Sequence, residues 1–163
     1  MGNKKGAFSQ RTTMTDRNYR RSNQIERIDL YISKTAKRLV AELFSCDETE
    51  HRQRCSEELL FELDQLAEIT PCTVKITDAR QKHRRANGRL VYKEYGHYKP
   101  DRAYIYITNK TAVREQVLAA KTFVDTLLHE WMHHYDTHAL KLNSIHTSGF
   151  YARIAHLKEK LLS

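Results

Sequence analysis

The sequence predicts an α+β fold: N-terminal helices, a small three-stranded sheet, then two further helices. Two observations carry that reading. Apolar residues recur every three or four positions on either side of a central stretch, the spacing of amphipathic helices. Between residues 72 and 108 the texture changes to β-branched and aromatic residues separated by short turn signals. That pattern suits strands in a small antiparallel or mixed sheet.

Taken in order, residues 1–21 lack apolar periodicity, and the whole stretch is expected to be a flexible basic arm. Residues 22–163 are expected to form a single domain. Ile25, Ile28, Ile32, Ala36, Leu39 and Leu43 suggest one helix starting at Ser22. Cys55, Leu59, Leu63 and Leu66 suggest a second over about 48–69, with Pro71 marking its end. Strands are expected at 72–77, at 90–95 after the Asn87-Gly88 turn signal, and at 103–108, with 96–101 as a loop. A long helix is expected over about 111–138, its stripe made by Val113, Val117, Ala120, Val124, Leu127 and Trp131. A last helix over about 148–162 carries Phe150, Ile154, Leu157 and Leu161.

Length and composition narrow the classes. With 163 residues, the chain suits one domain. Only 5 Gly and 2 Pro, with 40% hydrophobic residues, argue against a disordered or fibrous chain. No apolar run approaches the roughly 20 residues of a membrane span, and Met1-Gly2-Asn3-Lys4-Lys5-Gly6 leads into no apolar segment of a secretory signal. Cys46, Cys55 and Cys72 are an odd number without a CxxC pair, so free thiols in a reducing cytoplasm are expected.

The net charge of +8 is unevenly spread. Residues 1–21 hold six Lys or Arg against one Asp, and residues 75–102 hold nine against three acidic residues; the segment between them is acidic. Basic blocks attract polyanions by counterion release, which makes nucleic acid the natural partner; a solvated face with a disordered basic arm suits the same charges equally well.

Five of the nine His lie between positions 129 and 146. Among them is His129-Glu130-Trp131-Met132-His133, an HExxH motif inside a strongly periodic helix. Positions i and i+4 share a helix face, so both imidazoles can reach one Zn²⁺. Glu130 then sits beside the metal, where it can take a proton from a water whose pKa the metal lowers toward ~7. A catalytic zinc needs a third protein ligand and an open position. The HExxHxxGxxH pattern fails, because Asp136 and Ala139 occupy its Gly and His positions. After His133 the only acidic residues are Asp136 and Glu159, which leaves His146 as the best candidate. His134, His138, His156 and Asp136 are expected to face solvent, cap a helix or orient a ligand imidazole.

The run His129-Glu130-x-x-His133, a gap of twelve residues, then His146-Thr147-Ser148-Gly149-Phe150 resembles the SprT-like (Spartan-type) zinc metallopeptidases. In that family an HExxH helix is followed by a His with an aromatic residue four further on. Arg84-Arg85-Ala86-Asn87-Gly88-Arg89, the strand at 103–108 and the HExxH helix follow the family's order, and the resemblance covers roughly residues 72–162. It implies a minimal zincin-like fold, with His129, His133 and His146 as Zn²⁺ ligands and Glu130 as the general base. It also implies an endopeptidase acting on DNA-associated proteins, cytoplasmic or at the nucleoid. Thr147-Ser148-Gly149 replaces the Gly-Pro-Glu of many members, and no Cys-rich zinc ribbon is present in these 163 residues.

Lys82, Arg84, Arg85, Tyr95 and Lys99 are the candidate nucleic-acid contacts. Cations there interleave with Tyr92, Tyr95 and Tyr98, an arrangement that can hold phosphates and stack unpaired bases. Tyr135 and Tyr151 are candidates for stabilising a developing oxyanion. Two other functions suit the same sequence: a nucleic-acid-binding module whose zinc site is structural or inactive, and a host-interaction protein of a mobile element.

Overall fold

The structure, a computed structural model, describes residues 13–80, 82–86, 89–111 and 116–163, and within them the side chains outside 80–94. It is an α+β fold. Among the described residues there are five helices, a three-stranded mixed sheet and a two-stranded hairpin that forms a sheet of its own. Among the described residues no helix is long and apolar enough to cross a membrane.

Helix α1 spans Met14–Gln24. Much of the expected arm is therefore helical; residues 1–12 lie outside the described residues. The helix has a sequence signal that apolar counting misses. Thr13 and Asp16 form a capping box, each side chain bonded to the other's backbone N–H. Ser22 is its one buried residue, so the helix docks through polar contacts and carries no apolar stripe.

The helix expected from Ser22 to Leu43 is two segments. Residues 25–33 are non-helical, with Ile28, Leu30 and Ile32 buried and the residues between them exposed. That alternation has the period of extended chain. Helix α2, Lys34–Phe44, begins only at Ser33, whose hydroxyl accepts the Ala36 N–H and serves as the N-cap. Helix α3 spans Thr49–Leu66, much as expected.

The sheet differs from expectation in one strand. Strands β1, Thr73–Arg80, and β5, Tyr104–Lys110, pair in parallel, and β4, Gly96–Lys99, pairs antiparallel to β5. The order is β1-β5-β4. Residues 96–99, expected as a loop, are thus the edge strand. The expected strand at 90–95 instead falls in β3, Arg89–Glu94, which among the described residues pairs with β2, Lys82–Ala86, and not with the three-stranded sheet. Four-residue β4 is too short to show alternation, and Gly96 and Pro100 at its ends read as loop residues.

Helix α4 spans Ala120–His138 and packs across β4 and β5. It starts later than expected because Lys110 bridges Val117 and the Leu118 N–H donates to the Asn109 carbonyl, which keeps the lead-in extended. Val117 is accordingly exposed, and Val113 lies outside the described residues. Phe123, Val124, Leu127, Leu128, Trp131 and Met132 are buried on α4. Each such side chain stabilises the fold by roughly 1.5–3 kcal/mol, which fixes the helix rotation. Helix α5, Ser148–Leu162, matches its expected bounds and packs on α1, α2 and α4.

Candidate metal centre

Helix α4 presents His129 and His133 one turn apart, and residues 139–147 bring His146 back onto them. His146 Nε2 lies 3.1 Å from His129 Nε2 and 3.0 Å from His133 Nε2. Three imidazole nitrogens thus converge on one point. Zn–N bonds of about 2.0–2.1 Å in a tetrahedral site put ligand nitrogens about 3.3 Å apart, a few tenths of an ångström wider than here. Among the described residues no fourth His, Cys, Asp or Glu atom completes this set.

The hydrogen bonds fix which His133 nitrogen is free. Ser144 Oγ donates to Asp136 Oδ2 at 2.9 Å, so its only proton is committed. His133 Nδ1, 2.7 Å from Ser144 Oγ, must then be the donor, and Nε2 carries the lone pair. Asp136 is wholly buried and is gripped by Arg153, whose Nε and Nη2 reach Oδ1 and Oδ2 at 3.0 and 2.8 Å. Asp136 therefore orients the His133 imidazole through Ser144, and it does not face solvent.

Burial, and then the neighbouring imidazole of His146, lowers the His129 pKa to about 4. Burial, followed by His129 and His146, lowers that of His133 to about 3. Both rings are neutral at pH 7, the state a metal requires. Phe150, fully buried at the start of α5, stacks on His133 with centroids 4.5 Å apart and meets His129 edge-on at 5.1 Å. The aromatic residue four positions after His146 is thus the platform under the cluster. Thr147 caps α5 by accepting the Phe150 N–H at 3.0 Å, which sets Phe150 in place.

A cleft of about 660 Å³ opens over the cluster. Edge strand β4 supplies Gly96, His97 and Tyr98 to one wall; His129, Glu130 and His133 line the α4 side, and Ser144 and His146 the other. Glu130 is buried within it, 7% exposed. Tyr151, half exposed, lies beside the cluster with its ring 5.8 Å from that of His146. Tyr135 is buried beside Trp131 and the Asp29 backbone, away from the cleft, so it is no oxyanion candidate.

No protein-family model matches this chain, and no curated protein or solved structure matches it either.

A second group, Asp64, Cys72 and His134, also brings possible metal-ligating atoms together. Its hydrogen bonds argue against an ion. His134 Nε2 lies 2.7 Å from the Thr70 carbonyl, which can only accept, so that nitrogen carries the proton. Its Nδ1 then accepts from Tyr98 Oη at 2.8 Å. Asp64 takes the Trp131 Nε1–H and the Cys72 N–H, each at 2.9 Å. Burial pushes the Cys72 thiol well above its ordinary pKa. Every ligand atom of the pair Asp64 and His134 is already in use. The knot ties α3, the start of β1, β4 and α4 together, and so sets the HExxH helix against the cleft wall.

Sequence reasoning missed Ser144, Arg153 and this knot. It also placed His134 and His156 too far outward. His134 is fully buried, and His156, 9% exposed, accepts the Ile28 N–H at Nδ1. Of the nucleic-acid candidates, the side chains of Lys82, Arg84 and Arg85 lie outside the described residues. Lys99 is exposed at the end of β4, whereas Tyr95 is half-buried against the core and lines the cleft. Tyr98 turns inward to His134 and is not free to stack a base.

Proposed function

We propose that the chain is a zinc-dependent endopeptidase of SprT-like type, acting on DNA-associated proteins. The single observation that carries this is the convergence of three imidazole Nε2 atoms at the floor of an open cleft, with the HExxH carboxylate, Glu130, buried in the same cleft. His129, His133 and His146 would hold the metal. When bound there, zinc supplies Lewis-acid polarisation of a peptide carbonyl and makes water more acidic.

The chain's own residues account for the rest. Glu130 accepts the proton of the attacking water and later passes it to the leaving amine. Ser144 and Asp136 keep His133 in the one tautomer that can bind. Edge strand β4 lines the cleft, so an extended peptide bound there would lie beside the sheet and across the cluster. Tyr151, whose ring lies beside that of His146, would donate a hydrogen bond to a developing oxyanion. The DNA link rests on the net charge of +8, the exposed Lys99 and the resemblance of the motif run to the SprT-like enzymes.

A closed, structural zinc site is less favoured. Its fourth ligand would have to be Asp136 or His138, but Asp136 is held by Arg153 and Ser144, and the His138 ring packs on that of His134. The deciding experiment is Glu130→Gln. The variant should keep about one zinc per chain and lose cleavage of a DNA-bound protein substrate. Wild-type cleavage by the variant would refute the mechanism.

A further inference from the structure

The third ligand, His146, lies in a nine-residue connection between α4 and α5 that has little regular structure of its own. Several bonds tie this stretch to itself or to α4: the Ala139 and Leu140 N–H groups to the Tyr135 carbonyl, the Leu142 N–H to the Asp136 carbonyl, Ser144 to Asp136 and His133, and the Thr147 N–H to the Ile145 carbonyl. A further grip comes from far away in sequence, from α1.

Helix α1 holds the connection on both sides of His146. On the near side, the Asn18 amide meets the backbone of Asn143 twice. Asn18 Nδ2 donates to the Asn143 carbonyl at 2.7 Å, and Asn18 Oδ1 accepts the Asn143 N–H at 2.9 Å. On the far side, Ser22 Oγ lies 2.7 Å from Thr147 Oγ1, and Asn23 Oδ1 accepts from Ser148 Oγ and from the Gly149 N–H at 2.8 and 3.2 Å. The approach is close enough to require a glycine. A Cβ at Gly149 would stand 2.1 Å from the Ser22 carbonyl oxygen and 2.8 Å from Asn23 Cα. Arg153 locks the same helix from beneath. Its Nη1 donates to the carbonyls of Ser22 and Ile25 at 2.7 and 2.6 Å, while its Nε and Nη2 hold Asp136.

We propose that α1 is a clamp that positions the third metal ligand, with Asn18 as its principal positioning residue. The proposal rests on the reading of His129, His133 and His146 as a metal site, and it adds to that site a helix that touches no metal. A two-point amide clamp fixes both the place and the orientation of the Asn143 peptide, three residues before His146. Without it the connection loses a tether just before His146, and the third imidazole is held less firmly against His129 and His133. Groups hydrogen-bonded to metal ligands typically change metal affinity by about 10- to 100-fold, and Asn18, one step further back, is expected at the lower end of that range.

The test uses the full chain with Asn18→Ala and Asn18→Asp. Asn18→Asp keeps the shape of the side chain but sets an acceptor against the Asn143 carbonyl, where the amide donates. Three measurements are made on each: zinc Kd by competition with a chelator, the visible spectrum of the cobalt(II) form, and hydrogen exchange of the amides of 141–149 without metal. Both variants should weaken zinc binding about 10-fold or more, alter the cobalt spectrum as His146 leaves, and speed exchange in 141–149 selectively. Zinc affinity within twofold of wild type in both variants would overturn the clamp, as would a loss of protection spread evenly over the chain. An Asn18→Asp variant that matches wild type would reduce Asn18 to a space-filler, and would overturn it too. Failure of the metal reading itself is told apart by the wild-type protein alone: if that takes up no zinc, both fall, whatever the exchange data show.

Discussion

Ser144→Ala is the sharpest test of the relay behind the metal centre. The hydroxyl does two things: it receives the His133 Nδ1–H at 2.7 Å and passes a hydrogen bond to Asp136 at 2.9 Å. Its removal does not strand Asp136, because Arg153 still meets both carboxylate oxygens. The deprived group is the His133 Nδ1–H, on a ring that is mostly buried. An unsatisfied donor of that kind costs about 1–3 kcal/mol. Part of the cost falls on the metal-free state, where the ring can turn over and present its other nitrogen. A loss of about 1.4 kcal/mol in binding is then a reasonable central value, or a tenfold weaker zinc Kd. Competition against a chelator of known affinity at pH 7 measures it directly. A Kd within twofold of wild type would refute the argument that the serine fixes the tautomer.

Two further outcomes are expected. In the metal-free protein, stability should rise with pH between about 4 and 6.5: His129 and His133 have lowered folded pKa values, so the unfolded chain binds more protons throughout that window, and the stabilisation is lost as pH falls. Urea unfolding at several pH values, with a His129→Gln/His133→Gln variant that should show a flatter dependence, checks the sign. Gly149→Ala should lower the unfolding temperature markedly, because the new Cβ meets backbone atoms of Ser22 and Asn23 that cannot turn aside; an unchanged temperature would show that α1 does not sit so close.

The residues of the candidate metal site were the most legible part of the chain. HExxH announces itself because a metal site on a helix needs the i, i+4 spacing, and His146 followed by elimination among few candidates. Helix α5 and strand β5 were readable because their apolar pattern serves a buried face. What stayed hidden depends on contacts that no local pattern encodes. Asp136 reads as a surface acid until Arg153, 17 residues on, is seen beside it. His134 reads as one more polar residue on a histidine-rich helix, yet Tyr98 of β4 and the Thr70 carbonyl bond it, while Trp131 and the Cys72 N–H bond its neighbour Asp64 on α3. Residues 25–33 were misread because Ile25, Ile28 and Ile32 satisfy the helical step, while Ile28, Leu30 and Ile32 satisfy the extended one equally well. Ser33, a helix-capping residue in the middle of the run, was the local sign that decides between them.

The clasp between α1 and the His146 connection joins residues about 125 positions apart in sequence. Such distant contacts are slow to form, since the chain between them must first surrender its freedom. During synthesis, residues 13–25 leave the ribosome long before 141–153 exist, and the two His of α4 can emerge without their third companion. A centre finished by a long-range clasp therefore matures late. The three-imidazole cluster is thus incomplete in the nascent chain, and it is assembled only when the last helix has closed over the first.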